Sequence, residues 1–178
     1  MRLVILDRDG VINADSDAFI KSPSEWVALP GSLEAIARLS NAGITVAVAT
    51  NQSGLSRGLF DIDTLNRVHG RMTARVSAIG GRIDAVAFCP HGPKDQCMCR
   101  KPAPGLLMAL SSRFGVSLEG VPFVGDSLRD LEAAASVGAR PILVRSGKGK
   151  STARERSPVL ANTTIVDDLW AAAEHILG

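Results

Sequence analysis

Short apolar runs alternate with longer amphipathic segments along most of the chain. Runs such as RLVIL at 2–6 and ITVAVAT at 44–50 lack a regular apolar–polar alternation, which is typical of strands buried on both faces. Segments such as 32–43 and 61–81 have the pattern of amphipathic helices. The alternation predicts a doubly wound α/β fold, with a mostly parallel sheet and helices on both faces.

The remaining predicted elements follow the same order along the chain. The predicted strands are 2–6, 44–50, 85–90, 121–125, 141–144 and 163–166, and the predicted helices are 32–43, 61–81, 103–115, 127–138 and 168–177. We expect one domain over 1–178, because the length suits one domain and the sequence contains no linker or repeat. The basic stretch 145–157 is interpreted as a solvated loop.

Composition and charge narrow the classes of function. The chain has 178 residues and a formal net charge of +2, which is too small for a nucleic-acid-binding surface. Its apolar runs are shorter than the ~18 residues that a membrane span needs, and its N-terminal stretch does not have the pattern of a signal peptide. We therefore expect a cytoplasmic protein without nucleic acid or membrane partners. We also expect a monomer, because the sequence shows no heptad pattern.

Polar side chains follow the predicted strands, at the edge where open parallel sheets bind ligands. Asp7 and Asp9 come directly after the first strand, and Asp126 follows the fourth. Three converging carboxylates repel one another unless a cation neutralises them, and Mg²⁺ prefers carboxylate oxygens together with a phosphate. Lys101 and the hydroxyl of Thr50 suit a phosphoryl group. A carboxylate that attacks this group would carry it as an aspartyl-phosphate.

Each of these signals also has a structural interpretation. The sequence Asp-x-Asp-Gly often marks a turn, and a Thr-Asn pair at the end of a strand is common. Asp126 can serve simply as a cap of the helix that starts at Ser127. The functional interpretation is favoured because these residues stand, in order, at successive strand ends.

Four motifs together resemble those of the haloacid dehalogenase superfamily of phosphatases, over essentially the whole chain. They are DRDGVIN at 7–13, VATN at 48–51, Lys101 and GDSLRD at 125–130. The resemblance implies that Asp7 is the nucleophile. It also implies that Lys101 orients Asp7 and the phosphate, while Thr50 and Asn51 bind the transferring phosphoryl group.

The resemblance also implies a Mg²⁺ site and a general acid and base. Asp7, Asp126 and the main-chain carbonyl of Asp9 are expected to hold the Mg²⁺, with Asp130 supporting them. The carboxyl group of Asp9 is expected to give a proton to the leaving oxygen and then to take one from water. Since Asp9 would have to start protonated, we expect its carboxylate neighbours to raise its pKa.

The stretch CPHGPKDQCMC at 89–99 contains all three cysteines of the chain and one of its three histidines. Cys89, His91, Cys97 and Cys99 offer three thiolates and one imidazole, which can complete a closed tetrahedral Zn²⁺ shell. The spacing differs from the C-x₂-C of zinc fingers. The alternative, cysteines buried together by chance, is disfavoured because the intervening residues are polar and turn-rich. A closed shell predicts a structural zinc that braces this loop.

The sequence leaves no room for the cap domain that often covers the site in this superfamily. Most residues between Asp7 and Thr50, and between Thr50 and Lys101, belong to predicted helices and strands. A capless phosphatase shapes its pocket with loops, and the loop 89–99 leads directly into Arg100. A zinc-braced loop of this kind resembles two related families, the heptose 1,7-bisphosphate 7-phosphatases and the histidinol-phosphate phosphatases.

Two stretches favour the first of these families, and one feature favours the second. TNQSGLSRG at 50–58 and VRSGKG at 144–149 resemble the heptose bisphosphate phosphatases, whereas the five-residue gap between His91 and Cys97 resembles the histidinol-phosphate phosphatases. The candidate substrate-binding residues are Thr50, Asn51, Gln52, Ser53, Arg57 and Arg100.

Charge favours the bisphosphate substrate. A bisphosphate keeps its second phosphate in the pocket, where Arg57 and Arg100 can bind it, whereas these cations suit the amine of histidinol phosphate poorly. With this preference, the resemblance to the heptose bisphosphate phosphatases implies a phosphorylated sugar as partner and removal of the C7 phosphate from D-glycero-D-manno-heptose 1,7-bisphosphate. A nucleic-acid end phosphatase is disfavoured by the low charge and the lack of an aromatic platform. A non-catalytic module that docks a partner through its zinc loop is disfavoured by the complete set of motifs.

Overall fold

Every strand and helix predicted from the sequence is present in the structure, a computed structural model that describes residues 2–178. The strands are β1 (Leu3–Leu6), β2 (Thr45–Asn51), β3 (Ala85–Cys89), β4 (Pro122–Gly125), β5 (Arg140–Val144) and β6 (Thr164–Val166). The helices are α1 (Ser32–Asn41), α2 (Ile62–Ala78), α3 (Gly105–Phe114), α4 (Leu128–Ser136), α5 (Gly149–Thr152) and α6 (Leu169–Leu177). The short α5 and two 3₁₀ turns, Pro23–Glu25 and Pro158–Asn162, lie where the sequence predicts no element.

The strands form one parallel sheet. Within residues 2–178 the order is β3-β2-β1-β4-β5-β6, and every neighbouring pair runs parallel. The chain therefore winds from β1 towards one edge and then adds β4, β5 and β6 on the other side, which confirms the doubly wound fold. The direction of winding reverses between β1 and β4, and ligands bind beyond the carboxyl ends of the strands at such a point.

Alternate residues of the central strands point to opposite faces of the sheet, and helices cover both faces. Val4 and Leu6 of β1 belong to a core cluster that includes residues of α1, α2 and α6. Leu3 and Ile5 belong to the opposite cluster, with residues of α3 and α4. Both faces are apolar because both are covered, and this explains why the strands read as continuous apolar runs.

The connections between strands contain helices and turns in the described part of the chain. Over residues 2–178 the segments that follow β1 and β2 each contain one α-helix and no inserted domain, as the capless arrangement predicts. The connection from β1 includes the irregular segment 14–22, which lies beside the carboxyl edge of the sheet. Among the helices of residues 2–178, none combines the length and the apolar character needed to cross a membrane.

Candidate active site

The carboxyl ends of β1 and β4 bring three carboxylates together. Asp7 directly follows β1, and its backbone N–H donates to the carbonyl of Val124 in β4 at 2.8 Å. Asp126 directly follows β4, and Asp130 lies in the first turn of α4. One carboxylate oxygen from each of Asp7, Asp126 and Asp130 lies within 4.8 Å of the others. We call these three residues the carboxylate cluster.

Lys101 lies against the carboxylate cluster, and its side chain is only 2% exposed. Its Nζ is 2.9 Å from Asp7 Oδ1 and 2.7 Å from Asp130 Oδ1. The same nitrogen donates to the main-chain carbonyl of Ala49 in β2 at 2.7 Å. Each of the three hydrogens on the ammonium group thus has an acceptor, so Lys101 is held in one position beside Asp7.

Burial and mutual repulsion make the carboxylate cluster a poor environment for three anions. Burial and the charge of Asp130 raise the pKa of Asp7 to about 8, against the opposing charge of Lys101. Burial and the same neighbour raise the pKa of Asp126 to about 7. A divalent cation held by hard carboxylate oxygens would offset this repulsion and favour the anion of Asp7. The donor set therefore fits Mg²⁺, with Asp7 and Asp126 as candidate ligands.

Asp126 is not the cap of α4, so this structural alternative is wrong. The N-cap is Ser127, whose backbone N–H and hydroxyl donate to Asp130 Oδ2 at 3.1 and 2.7 Å. Asp126 accepts instead from the backbone N–H of Lys148 at 2.8 Å, and its own carbonyl accepts from the hydroxyl of Thr152 at 2.9 Å. Asp130 thus holds both the start of α4 and Lys101, while Asp126 is oriented by the segment after β5.

The prediction that 145–157 is simply a solvated loop is therefore wrong. The segment contains α5, in which Gly149 and Thr152 are buried. Glycine is required at 147, where φ is +54° and a Cβ atom would collide with the carboxylate of Asp126. The many basic side chains of this stretch led to the prediction of a solvated loop. The backbone of the stretch, however, packs against Asp126.

Asp9 was expected to have neighbours that raise its pKa, but its carboxylate is surrounded by hydrogen-bond donors, which favour the ionised form. Arg8 Nε and Nη2 lie 3.1 and 2.8 Å from Asp9 Oδ1, Asn13 Nδ2 donates to the same oxygen at 2.8 Å, and Gln52 Nε2 donates to Oδ2 at 2.9 Å. Burial disfavours the ionised form, but the charge of Arg8 and these hydrogen bonds hold the pKa of Asp9 below its usual value. The expectation of a raised pKa is wrong because the neighbouring carboxylates were considered without the guanidinium of Arg8.

At the end of β2, the hydroxyl of Thr50 lies beside the cleft, whereas the amides of Asn51 and Gln52 bind other residues of the site. Thr50 is buried beside the cleft and accepts a hydrogen bond from Gln52 Nε2 at 3.0 Å. The side chain of Asn51 pairs with the main chain of Lys101: Nδ2 donates to the carbonyl at 3.1 Å and Oδ1 accepts from the N–H at 3.0 Å. The amides of Asn51 and Gln52, both predicted to bind substrate, are thus occupied in positioning other site residues.

These groups line a cleft of about 290 Å³ at the carboxyl edge of the sheet. Ser53, Arg57 and Arg100 line it, as predicted, and so do Arg129 and Lys148, which sequence reasoning missed. Arg129 is the second residue of α4, two positions after the GDS sequence, and its basic charge beside a strand end was the available signal. We call Arg57, Arg100, Arg129 and Lys148 the cleft mouth.

The segment 14–22 forms a further wall of the cleft that the sequence did not reveal. Asp15 and Phe19 both line the cleft. Asp15 Oδ2 pairs with Lys148 Nζ at 3.0 Å, and the guanidinium of Arg57 stands 5.3 Å from the ring centre of Phe19. Both contacts join residues of this segment to cations of the cleft mouth, so 14–22 helps to shape the entrance in a chain without a cap.

The four predicted metal ligands of residues 89–99, which we call the Cys/His loop, come together. Cys89 Sγ is 3.7 Å from Cys97 Sγ and 3.1 Å from Cys99 Sγ, and His91 Nδ1 is 3.5 Å from Cys89 Sγ and 3.3 Å from Cys99 Sγ. Ligands on a tetrahedral zinc lie about 3.4–3.8 Å apart, given Zn–S and Zn–N bonds of about 2.3 and 2.0 Å. The cluster therefore fits a zinc ion.

The Cys/His loop is joined directly to the cleft mouth. The backbone N–H of Arg100 points to Cys97 Sγ at 3.4 Å, and Arg100 Nη1 donates to the carbonyl of His91 at 3.1 Å. At the same end of the loop, the Gly105 N–H donates to the carbonyl of Met98 at 2.9 Å, so that α3 begins against the loop. The conformation of the loop therefore sets the position of Arg100.

The sequence of this chain is similar to a known protein family and to named phosphatases. A family model described as HAD-hydrolase-like matches residues 98–172. The D-glycero-β-D-manno-heptose-1,7-bisphosphate 7-phosphatase of Bordetella bronchiseptica is 56% identical over 177 residues, covering 99% of this chain and 98% of that protein. The protein of the same name from Pseudomonas putida is 54% identical, over 99% of this chain and 100% of its own length. The chain belongs to this family of HAD phosphatases.

The fold agrees with a solved member of the heptose bisphosphate phosphatase family. The crystal structure of D,D-heptose 1,7-bisphosphate phosphatase from B. bronchiseptica, complexed with magnesium and phosphate, matches with a TM-score of 0.95. It is 57% identical, and the match covers 99% of this chain and 98% of that one. The HAD phosphatase assignment made from the motifs is confirmed, and this chain is a phosphoric monoester hydrolase by family. The histidinol-phosphate alternative is not favoured.

Proposed function

We propose that this chain is a Mg²⁺-dependent phosphatase that removes the C7 phosphate of D-glycero-D-manno-heptose 1,7-bisphosphate. The observation that carries the proposal is the division of one cleft into two parts. Its base contains the carboxylate cluster and Lys101, all of them buried, and its mouth contains four cations. A bisphosphate needs both parts, because one phosphate reacts while the other stays bound. The names of the similar proteins support the same substrate.

Asp7 is the nucleophile of the proposed reaction. Asp7, Asp126 and the carbonyl of Asp9 would hold the Mg²⁺, which would supply positive charge to the phosphoryl oxygens and so permit an anion to approach them. Lys101, 2.9 Å from Asp7 Oδ1, fixes the attacking carboxylate and adds a second positive charge. Thr50 supplies a hydroxyl beside the transferring group. Attack by Asp7 on phosphorus breaks the bond to the sugar oxygen and leaves an aspartyl-phosphate.

Asp9 is the general acid and base of the same reaction. In the first half Asp9 must carry a proton to give to the departing sugar oxygen. Because its pKa is lowered in the free protein, this proton has to be taken up with the substrate, whose phosphate charge beside Asp9 favours the neutral acid. In the second half Asp9 takes a proton from the water that attacks the aspartyl-phosphate. The donors that surround Asp9 in the structure suit its ionised form, which is the form that the second half requires. Gln52, which touches Asp9 and Thr50, keeps the acid and base next to the transferring group.

The Cys/His loop has a structural part in this proposal. A closed shell of Cys89, His91, Cys97 and Cys99 leaves no position for substrate, so zinc there would brace the loop that carries Arg100. The second phosphate would lie among the cations of the cleft mouth. The extent of the phosphatase domain, 1–178, and the expected monomeric state and cytoplasmic location remain predictions.

The test compares two substrates with the purified protein. In the presence of Mg²⁺, phosphate release is measured from the β-anomer of heptose 1,7-bisphosphate and from histidinol phosphate, and the sugar product is identified by ³¹P NMR. We expect a higher kcat/KM for the bisphosphate and a product that retains only the 1-phosphate. A higher kcat/KM for histidinol phosphate, or loss of the 1-phosphate first, would contradict the proposal.

A further inference from the structure

His69, a buried residue of α2, contacts the guanidinium of Arg8, which in turn binds Asp9. The side chain of Arg8 is 1% exposed, and its Nη1 lies 3.2 Å from Nε2 of His69. His69 is itself buried and packs 6.0 Å from the ring centre of Phe88 in β3. None of the sequence motifs includes His69, because α2 reads as an ordinary amphipathic helix between two strands.

His69 acts in this contact as a hydrogen-bond acceptor. A guanidinium carries only donors, so the imidazole nitrogen that faces Arg8 must offer a lone pair. Burial and the charge of Arg8 lower the pKa of His69 to about 3, against the opposing charge of Asp9. The ring is therefore neutral, with its hydrogen on Nδ1 and Nε2 available to accept from Arg8.

The contact extends from α2 to the general base. The far side of the same guanidinium faces Asp9, with Nη2 at 2.8 Å from Oδ1 and 3.0 Å from Oδ2. His69, Arg8 and Asp9 thus form one hydrogen-bonded chain. Because a buried N–H group without an acceptor is costly, the imidazole fixes the Nη1 end of Arg8, while the Nε and Nη2 groups of the same guanidinium hold Asp9.

We propose that His69 is a positioning residue for the hydrolysis of the aspartyl-phosphate, an inference that rests on the proposed function. In that step an O–H bond of water breaks and its proton goes to Asp9. The water oxygen bonds to phosphorus, the bond from phosphorus to the Asp7 oxygen breaks, and Asp7 regains its electron pair as a carboxylate. Asp9 must be held as a proton acceptor for this step, and His69 holds it through Arg8.

The test follows 4-nitrophenyl phosphate in rapid-mixing experiments with Mg²⁺. The leaving group of this substrate needs little protonation, so the first half-reaction depends weakly on Asp9 and the second half depends on it fully. For His69→Leu we expect kcat to fall about tenfold to a hundredfold, with kcat/KM within about threefold of the wild type. Nitrophenolate should appear in a burst of about one equivalent per enzyme before a slow steady phase.

Two further variants separate positioning from general loss of packing. His69→Gln keeps an acceptor and should recover most of the steady rate. Val76→Ala removes buried volume from the same helix without touching Arg8, and it should produce no new burst. Equal losses of kcat and kcat/KM in His69→Leu, or failure of His69→Gln to recover the rate, would overturn the inference.

Arg8→Lys tests the same chain of contacts should His69→Leu fold poorly. Lysine keeps a positive charge near Asp9 but cannot reach Asp9 and His69 together, so the same burst is expected, and its absence would overturn the inference. Adding His69→Gln to Arg8→Lys should change the rate little, since both act through one contact. A wild-type protein that releases no phosphate from any substrate would contradict the proposed function itself, whereas an active wild type without these effects would contradict only the role of His69.

Discussion

The carboxylate cluster lies buried among the strand ends, whereas the Cys/His loop lies largely at the surface. Asp7, Asp126 and Asp130 are all buried, but His91 is exposed and only Cys89 of the four sulfur and nitrogen ligands is buried. The carboxylates are fixed by the sheet itself and by Lys101. The three cysteines of the Cys/His loop pack against the apolar cluster that includes α3, whereas the residues at 93–96 are exposed. The path of this exposed part therefore depends on the ligands meeting one another.

The difference indicates two separate tasks. Burial raises the pKa of Asp7, first by removing its carboxylate from water and then by strengthening the repulsion from Asp130. A cation bound there would relieve this repulsion and favour the binding of a phosphoryl group. The thiolates of the Cys/His loop suit a soft, closed metal site that leaves no place for substrate. Damage to the cluster should therefore lower kcat, and damage to the loop should chiefly raise KM.

The largest effect is expected for Asp7→Asn. Loss of the nucleophile should lower kcat at least about a thousandfold, while zinc content stays at the wild-type value. The pKa of Asp7 is raised in the folded chain, so ionisation of Asp7 lowers stability as the pH rises above its unfolded value. The neutral amide should therefore give an equal or higher melting temperature at pH 8 in buffer without divalent cations.

Asp167→Asn is the matched control for this variant. Asp167 has an 80% exposed side chain and pairs with Arg145 away from the cleft, so its amide variant should keep wild-type kcat. Turnover by Asp7→Asn within tenfold of the wild type would exclude Asp7 as the nucleophile. A clear fall in its melting temperature would show that the carboxylate stabilises the fold, contrary to the electrostatic argument.

A smaller effect is expected for Cys97→Ala. The purified wild type should contain about one zinc per chain, and the variant should lose most of it because a closed shell needs all four ligands. We expect a melting temperature several degrees lower, a raised KM through the displacement of Arg100, and kcat within about threefold of the wild type. Metal analysis, thermal denaturation and steady-state kinetics measure the three quantities.

Met98→Ala is the control within the same loop. Met98 lies between two of the ligands and is 73% exposed, so its truncation should leave zinc and KM unchanged. A zinc-free Cys97→Ala protein with normal kinetics and a normal melting curve would show that the loop needs no brace. A loss of kcat comparable to that of Asp7→Asn would show that the two regions are not functionally separate.

The parts predicted well from the sequence are those that depend on pattern or on ligand chemistry. Apolar runs gave the strands, because a strand covered on both faces must be apolar throughout. Cys89, His91, Cys97 and Cys99 were found because few other roles bring those residue types together in a polar stretch. Asp7 and Asp126 were placed together because parallel strands end at one edge.

The sequence predicted poorly the hydrogen-bond partners of the polar side chains that follow the strands. Arg8 and Asp9 are sequence neighbours, and nothing in the pattern indicates that the guanidinium folds against the carboxylate. Asn51 and Gln52 look like substrate ligands, yet their amides bind Lys101, Asp9 and Thr50. Hydrogen-bond pairing of this kind is decided by the packed geometry, which hydrophobic periodicity does not describe.

The smallest effect is expected at the cleft mouth, where the two regions meet. Arg57→Ala should raise KM for heptose 1,7-bisphosphate about threefold to tenfold and leave kcat nearly unchanged, because Arg57 is exposed and solvent screens its charge. KM for a simple monophosphate should stay within about twofold, because that substrate has no second phosphate to bind. Arg113→Ala, on the exposed side of α3, removes the same charge away from the cleft and should change neither constant. An equal rise in KM for both substrates would place Arg57 at the reacting phosphate. It would also contradict the proposal that the second phosphate binds at the cleft mouth.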